Sequence, residues 1–442
     1  MKWVFILGLI LATPALAAML RAQPRMLLPA CFLLGLSIFL LGPKLWAAPV
    51  SWPYWPGAVR GIYVSFIDAI AVALIAATRP ARTPLTVKLA FLVYCLGLLV
   101  STAVAQVGLM PIAFYAWQLF RTMLLFIAIC RVSATVQKAP IALIGGLSLG
   151  IIIEAGVVAF QFSKGIPRPG GTFNNANYMG LSLDYVVFPA IALMLGTRRL
   201  IWPGLTGLAA IVIAVCGGSR ATIALVAIGI PLTVILSLLH RRSGRKFAFA
   251  GLTTLLLLVA APLFLWAASQ RSREVLESSD QMRSAMTLSA KMIIADFPLG
   301  IGANQYVPFA NTRGYNERAG VPWNEENRVV PVHNTYYLVA AEMGLLGLVG
   351  LISLLASFIL VGVRLLGRQW DDEVNELIPG LLAAMIITSI HISVEFVAMD
   401  FILHSLFAIS AGILAGLSAQ LRRAPVPSGT RSMGPRALVS PA

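Results

Sequence analysis

Long apolar runs recur along most of the chain, and they constrain its fold more than any other feature. Each run extends for roughly 18–22 residues, which is enough for a helix to cross the hydrocarbon core of a bilayer. Apolar residues make up 59% of the 442 residues, whereas charged residues make up only 11%. A chain of soluble domains carries far more charge than this. The sequence therefore predicts an all-α polytopic membrane protein.

The number of spans depends on how the N-terminus is interpreted. Lys2, an apolar stretch and the Ala-Leu-Ala of residues 15–17 are typical of a signal peptide with its cleavage site. Arg21 and Arg25 follow at once and favour a cytoplasmic position for that end of the run. We therefore predict twelve or thirteen transmembrane helices, with both ends of the last twelve in the cytoplasm. The predicted spans are 3–20, 26–46, 61–78, 88–105, 111–130, 140–160, 177–196, 200–216, 220–239, 247–267, 334–363, 377–394 and 401–420.

The formal net charge is +16, and its distribution indicates topology rather than a nucleic-acid partner. Lys and Arg occur in short clusters at every second gap between apolar runs, which is the positive-inside pattern. No basic face is concentrated outside the membrane, so we predict no nucleic-acid binding. The clusters are Arg21 and Arg25; Arg79, Arg82 and Lys88; Arg131 and Lys138; Arg198 and Arg199; Arg241, Arg242, Arg245 and Lys246; Arg364 and Arg368; and Arg422 and Arg423.

Hydropathy divides the chain into four segments. Residues 1–267 form a predicted N-terminal transmembrane bundle, and 268–332 form a long hydrophilic loop. Residues 333–423 hold the C-terminal transmembrane helices, and the Pro-, Ser- and Gly-rich tail 424–442 is expected to be disordered in the cytoplasm. By parity the loop faces outside, which in a bacterium is the periplasm. We expect short helices within this loop.

Two motifs lie on the outer side of the first bundle. Residues 167–180 contain Arg168 and Asn177 and lead into a span, which Asn175 or Asn177 is placed to cap. A simple turn with a helix cap explains this motif as well. The Gly-Gly-Ser-Arg sequence that ends at Arg220 also opens a span. A guanidinium beside free backbone N–H groups favours an anion, although an Arg there can also snorkel to the membrane interface.

Two further motifs belong to the long loop and to its end. Met282, Met286 and Ile293 recur at helical spacing around Arg283, which alone would be an ordinary solvated charge. His333 stands where the loop enters the next span. A neutral imidazole there can accept a proton near pH 7, although a lone interfacial histidine is more often structural.

The span after His333 carries a second pattern. Asn334 follows the histidine, and Gly344, Gly347 and Gly350 leave a smooth strip that lets another helix approach closely. Glu342 lies nine residues past His333, which places it on the opposite face of a helix. We therefore do not pair these two residues as a dyad.

Four charged residues lie within or beside predicted spans: Arg121, Asp68, Glu154 and Asp184. Such charges are costly in a bilayer and usually pair in the interior of a bundle. We expect Arg121 to pair with one of the three acids, and the sequence does not choose among them.

Several catalytic signatures are absent from the sequence. It contains no HExxH and no P-loop, and no outward-facing segment carries an Asp-x-Asp pair. The four cysteines, Cys31, Cys95, Cys130 and Cys216, lie inside apolar runs without metal-ligand spacing. We predict no disulfide, no metal and no cofactor.

Taken together, the four motifs resemble the O-antigen ligase and polysaccharide polymerase superfamily. The shared order is a Gly-Thr-Phe-x-Asn-x-Asn loop, a Gly-Ser-Arg between two spans, an Arg-bearing loop helix ending in Pro-Leu-Gly-Ile-Gly, and then His-Asn. His333, Asn334, Gly344 and Gly347 follow the ligase-type spacing. The joint order over residues 167–347 carries the resemblance, whereas the N-terminal third matches only in hydropathy.

The resemblance implies an integral-membrane glycosyltransferase of the bacterial inner membrane, with its active site on the periplasmic face among membrane lipids. The donor would be a glycan on undecaprenyl diphosphate, and the acceptor would be lipid A–core or another glycan. Guanidinium groups bind phosphate bidentately, so Arg220 and Arg283 are the candidates for the diphosphate. His333 is the candidate base. Supporting roles fall to Asn334, Asn177, Arg168, Gly344 and Gly347.

Three alternatives stay open. A polymerase of O-antigen or exported polysaccharide shares these motifs, and the His333–Gly347 spacing favours a ligase over it. Transfer to a protein hydroxyl is a third activity within the family. A flippase or transporter of lipid-linked sugars also suits a twelve-span chain, but transporters commonly show inverted repeats, and the sequence shows none.

Overall fold

The computed structural model describes residues 2–40, 45–173, 175–255, 273–324, 328–368, 372–396 and 400–421. Two strands and a series of helices make up these parts of the chain, and residues 244–255 are also helical. The strands are β1 (Trp46–Ser51) and β2 (Gly61–Ser65). The helices are α1 (Lys2–Ala22), α2 (Leu27–Leu40), α3 (Phe66–Ala77), α4 (Leu85–Ala103), α5 (Leu109–Thr135), α6 (Ala139–Ser163), α7 (Ala176–Gly196), α8 (Ile201–Gly217), α9 (Arg220–His240), α10 (Arg273–Asp296), α11 (Tyr306–Thr312), α12 (Tyr315–Arg318), α13 (Thr335–Leu366), α14 (Ile378–His391) and α15 (Phe401–Leu421).

The chain is an all-α polytopic membrane protein, as the sequence predicts. Nine of the described helices are long and apolar enough to cross a membrane, and three shorter apolar helices accompany them. The predicted spans 26–46 and 61–78 are wrong in extent, because residues of both are taken up by the strands β1 and β2. The predicted span 247–267 and the predicted disordered tail 424–442 lie partly or wholly outside the described residues.

The two strands form an antiparallel hairpin that the sequence analysis missed. Trp46 pairs with Ser65 and Val50 pairs with Ile62. Two prolines and a glycine lie between the strands and favour a turn there. Asn304 binds the hairpin from the long loop, because its side-chain amide donates to the Val59 carbonyl at 2.7 Å and its oxygen accepts from the Val59 N–H at 3.1 Å. The hairpin is therefore held against residues far away in sequence.

Burial separates central helices from peripheral ones. Helices α7, α14 and α15 are largely enclosed by other helices, whereas most apolar residues of α1 and α4 are not buried. Exposed apolar faces of this length are what lipid tails require of a spanning helix. The central helices thus form the core of the bundle.

The predicted helix of the long loop is present as α10. Met286 and Ile293 are buried and Met282 is partly buried, so the apolar spacing predicts the packed face correctly. The helix ends at Asp296, just before Pro298. The short helices α11 and α12 follow. Helices α10 and α11 pack on the first half of α13, and α12 packs on α10 and α11. The loop is thus an ordered layer over one end of the bundle.

Helix α13 is broken at Gly344, where the sequence predicts a smooth packing strip. Gly344 has φ 69° and ψ −176°, a conformation that favours glycine. The Pro-Leu-Gly-Ile-Gly segment of the loop lies against the break, and the Leu345 N–H donates to the Pro298 carbonyl at 3.0 Å. A Cβ on Gly344 would lie 2.5 Å from the Leu299 carbonyl carbon. The predicted role of Gly344 is therefore wrong, since it admits a loop rather than a helix.

The other two glycines of that pattern do admit a helix. A Cβ on Gly350 would lie 2.5 Å from the Cα of Tyr94 on α4. On the facing helix, a Cβ on Gly97 would lie 2.5 Å from the Cα of Gly347. Backbones that approach this closely require small residues at the contact. The prediction is confirmed for Gly347 and Gly350.

Candidate functional site

Arg283 and His333 meet at one carboxylate, that of Glu395. The His333 Nδ1 atom lies 3.4 Å from one Glu395 oxygen, and the Arg283 Nη2 atom lies 3.4 Å from the other. The Glu395 side chain is only 3% exposed, whereas that of Arg283 is 33% exposed. A buried carboxylate needs such partners, because an unpaired one would be strongly disfavoured. Arg283 and His333, which are 50 residues apart in the sequence, therefore contact the same carboxylate.

The start of α13 holds the turn that carries Glu395. Asn334 caps α13 by accepting from the Tyr337 N–H at 3.1 Å, and its amide donates to the Ser393 carbonyl at 2.7 Å. The Thr335 hydroxyl donates to the Glu395 carbonyl at 2.8 Å. These bonds tie the backbone after α14 to the residues that flank His333. The position of the carboxylate is thus set by the same short segment that carries the histidine.

A cleft of about 340 Å³ opens between α10 and this segment. His333 and Asn334 line one side of it, and Arg283 and Lys291 line the other. The Lys291 ammonium also lies 5.5 Å from the centroid of the Tyr337 ring. Two cations and a histidine around one opening favour an anionic ligand.

Arg220 joins this region through α10. Its Nη2 atom lies 3.3 Å from Asp280 Oδ1, and both side chains are largely exposed. Asp280 precedes Arg283 by three residues, which places both on one face of α10. Ser219 caps α9 by accepting from the Thr222 N–H at 3.4 Å. Arg220 is therefore the first residue of α9. Its partner Asp280 lies about one turn of α10 before Arg283.

The motif with Arg168 and Asn177 lies at the same end of the bundle. Arg168 donates to the Asn177 side-chain oxygen at 2.8 Å, while Asn175 caps α7 by accepting from the Asn177 N–H at 2.9 Å. Of the two candidate caps, the structure therefore selects Asn175. Arg168 and Asn177 thus bond to each other, whereas the Arg283 guanidinium contacts Glu395.

Packing connects this motif to the histidine. The Tyr178 ring lies 5.7 Å from the Phe396 ring, and the Phe396 ring lies 5.3 Å from that of His333. A Cβ on Gly180 would lie 1.8 Å from Thr222 Oγ1, so the starts of α7 and α9 are in direct contact. The four sequence motifs therefore converge at one end of the bundle, as their shared outer position predicts.

The structure selects the partner of Arg121. Its guanidinium contacts both oxygens of Asp68 at 2.8–2.9 Å, and it donates to the Ser65 hydroxyl at 2.8 Å. The other two acids have different partners. Glu154 accepts from the Thr172 N–H at 2.9 Å, and Asp184 lies 2.8 Å from His391 Nδ1.

Glu342 and His333 do not form a pair, and this confirms the prediction from the sequence. Its carboxylate instead accepts from the Asn304 N–H at 2.8 Å and from the Tyr306 N–H at 2.9 Å. It thereby fixes the loop that lies against the break in α13. Within the described residues, no group of three or more His, Cys, Asp or Glu side chains could hold a metal ion.

Sequence reasoning missed Glu395 and Lys291. Glu395 follows a predicted span by one residue, and an acid at an outer helix end is the signal that could have singled it out. Lys291 lies eight residues after Arg283, which at about 100° per residue places it near the same face of α10. Their proximity to Arg283 and His333 is recognisable only once α10 is packed against α13.

A comparison with known families agrees with the motifs. The family model described as O-antigen ligase matches residues 205–352, which include Arg220, Arg283 and His333. The resemblance to the O-antigen ligase and polysaccharide polymerase superfamily is thereby confirmed. This family consists of glycosyltransferase-like membrane enzymes that use lipid-linked glycans and glycan acceptors. A search of curated proteins finds no match to this chain.

Proposed function

We propose that the protein is a ligase-type glycosyltransferase of the bacterial inner membrane. It moves a glycan from undecaprenyl diphosphate to a hydroxyl of lipid A–core at the periplasmic face. The reaction inverts the anomeric carbon and needs neither a metal nor a nucleotide sugar. The observation that carries the proposal is that Arg283 and His333, both within the matched region, meet at Glu395 beside a cleft.

His333 is the proposed general base. A carboxylate beside Nδ1 favours the tautomer in which Nδ1 carries the proton, which leaves Nε2 free to accept one. The acceptor hydroxyl gives its proton to Nε2 while its oxygen attacks the anomeric carbon. The bond from that carbon to the diphosphate breaks, and undecaprenyl diphosphate leaves with the bonding electrons. Glu395 then stabilises the imidazolium that has formed.

Arg283 and Arg220 are the proposed diphosphate ligands. Charge develops on the diphosphate as the glycosidic bond breaks, and guanidinium groups aimed at that charge lower the barrier. The start of α9 adds backbone N–H groups beside Arg220, and Lys291 adds a further cation. The long contact from Arg283 to Glu395 is weak enough for a diphosphate to replace it. Such a replacement would leave the full charge of Glu395 to His333 and strengthen the base.

The remaining predicted residues support this arrangement in the proposal. Asn334 holds the turn that carries Glu395, and Gly344 and Gly347 let the loop and α4 pack against α13. Arg168 and Asn177 order the loop before α7. A polymerase, in which a second lipid-linked chain is the acceptor, uses the same groups. The ligase-type spacing from His333 to Gly347 favours the ligase.

Reconstitution in liposomes tests the proposal. The purified protein is given an undecaprenyl diphosphate-linked oligosaccharide with lipid A–core in one reaction and with additional donor in another, both with EDTA. We expect a longer lipid A–core product. Extension of the donor instead would identify a polymerase. Movement of labelled donor between leaflets with no new glycosidic bond would contradict the transferase and support a flippase.

A further inference from the structure

A second cavity, separate from the cleft at His333, lies beneath the β-hairpin. It has a volume of about 230 Å³ and is bounded by β1, β2, α5 and the start of α15. Aromatic rings of Trp46, Tyr63 and Phe401 line it. The Trp46 and Tyr63 rings support each other edge-to-face at 4.7 Å. The cavity is smaller than the ~300–1,000 Å³ pockets of drug-sized ligands, so it suits a single ring-sized group.

Apart from the hydroxyls of Ser65 and Tyr63, the polar groups of this cavity belong to planar side chains that can hydrogen-bond hydroxyls. Gln118, Arg121 and Asp400 line it together with the aromatic rings. An amide offers both donor and acceptor, a guanidinium only donors and an ionised carboxylate only acceptors. A hydroxyl needs one acceptor and can take donors, so this set matches a polyhydroxylated ligand.

The charge balance of the cavity argues against an anion. Arg121 is already neutralised by both oxygens of Asp68, and Asp400 adds another carboxyl group. Burial raises the pKa of the Asp400 carboxyl, while N–H groups at the start of α15 oppose that rise. A phosphate would meet the Asp400 carboxyl and a guanidinium that Asp68 already neutralises. A neutral ligand with many hydroxyls avoids that repulsion.

The cavity lies near the proposed site of transfer. Phe396 contacts the His333 ring at 5.3 Å, and Asp400 follows Phe396 by four residues. Four residues span at most about 14 Å. The cavity and the proposed site of transfer are therefore close to each other in the fold.

We propose that this cavity binds one uncharged sugar residue of a glycan substrate. The inference rests on the proposed function for the identity of its ligand, and it adds a recognition site that is distinct from His333, Arg220 and Arg283. The sugar hydroxyls bond to Gln118 and Asp400, and one face of its ring packs on the aromatic wall. The glycan can come from the donor or from the acceptor, since both present the same chemistry.

Saturation-transfer NMR on the purified, folded protein tests the site without any turnover. The probes are the oligosaccharide released from the host's lipid A–core and the one released from its undecaprenyl diphosphate pool. We expect one of them to bind, and Trp46→Leu and Gln118→Met to weaken its affinity by about 3- to 10-fold each, the effect of losing one hydrogen bond or ring contact. The probe that binds distinguishes acceptor from donor.

Tyr54→Leu is the matched control, because Tyr54 lies on the same hairpin and is 93% exposed. It should bind like the unmodified protein, and all three variants should keep the same thermal midpoint. The inference is overturned if neither oligosaccharide binds, if both cavity variants bind normally, or if inorganic phosphate displaces the sugar. A variant with a lowered midpoint is replaced by Tyr63→Leu in the same comparison.

Transfer kinetics separate this inference from the proposed function. In the reconstituted assay, the cavity variants should raise KM for the bound substrate with kcat unchanged, as expected for lost uniform binding. Normal transfer by the unmodified protein with unchanged KM in both variants contradicts the cavity alone. Absence of transfer by the unmodified protein contradicts the proposed function, while the NMR result still decides the cavity.

Discussion

Two arginine–carboxylate pairs in this molecule differ in contact distance and in exposure, and the difference suggests a structural role for one pair and a functional role for the other. The Arg121 guanidinium contacts both oxygens of Asp68 at 2.8–2.9 Å. The Arg121 side chain is 3% exposed and that of Asp68 is 13% exposed. Arg283 reaches one oxygen of Glu395 at 3.4 Å and is 33% exposed. The first pair also has the Ser65 hydroxyl, whereas the second shares its carboxylate with His333.

The difference indicates which of the two guanidinium groups is available to a ligand. Short bidentate contacts with little exposure leave the Arg121 guanidinium committed to the fold. A long single contact beside an open cleft leaves Arg283 able to exchange its partner at little cost. The buried pair should therefore govern stability and the open pair activity. The following predictions test this division, from the largest expected effect to the smallest.

Removal of the proposed base should have the largest effect. His333→Gln keeps a polar side chain but cannot accept the proton, so kcat should fall by about 10²- to 10⁴-fold. The measurement is initial rate in the liposome assay at saturating donor and acceptor. His240→Gln, on a helix end away from the cleft, serves as the control for a histidine-to-amide change. Transfer by the His333 variant near the unmodified rate would remove it from the mechanism.

Disruption of the buried pair should unfold the protein more easily. Arg121→Met leaves the Asp68 carboxylate without its partner, and breaking a buried pair on one side costs roughly 3–5 kcal/mol. Chemical unfolding in detergent, followed by tryptophan fluorescence, measures the loss. The double variant with Asp68→Leu should recover part of it, because no buried charge is then left unpaired. Additive losses in the double variant would show that the pair is not coupled.

Replacement of the open arginine should leave stability nearly unchanged and lower activity. Arg283→Lys keeps the charge but loses the planar fork that binds phosphate at two points, so kcat/KM for the donor should fall by about 10- to 100-fold. Arg313→Lys on the same loop, outside the residues that line the cleft, is the matched control. If Arg283→Lys instead lowered the unfolding free energy as much as Arg121→Met, the contrast between the two pairs would fail.

The exposed pair of Arg220 and Asp280 should show the smallest effect on stability. Exposed ion pairs contribute about 0–1 kcal/mol, so Asp280→Asn should unfold like the unmodified protein and retain transfer. Arg220→Gln should unfold equally well but raise KM for the donor, if the guanidinium binds diphosphate. Donor titrations at two salt concentrations check this, because an exposed charge contact weakens with salt. Equal transfer by both variants would exclude Arg220 from donor binding.

Much of the fold could be predicted because apolar length and charge clusters act locally. The loop helix α10 and the positions of its buried Met286 and Ile293 follow from helical spacing alone. The hairpin was missed because its strands are short and adjoin apolar runs that extend the helical pattern. The role of Gly344 was wrong because the same small residue that admits a helix also admits a loop with positive φ.

In the candidate site too, some residues could be predicted from the sequence and others could not. The order of motifs indicates Arg220, Arg283 and His333, and the matched family covers all three. Glu395, the partner that Arg283 and His333 share, lies 62 residues beyond His333, and no spacing rule connects residues across two helices. Similarly, the sequence offers Arg121 three acids, and only the packing of α3 against α5 selects Asp68.

The sequence by itself determined that this protein spans a membrane many times, that a loop helix buries Met286 and Ile293, and which superfamily it resembles. These features depend on hydropathy, helical spacing and motif order, each of which acts over a few residues. The tertiary structure alone decided that Glu395 joins Arg283 to His333, that Asp68 holds Arg121, and that a loop enters the break at Gly344. Such pairings depend on which distant faces meet when the helices pack, and that is a property of the whole chain.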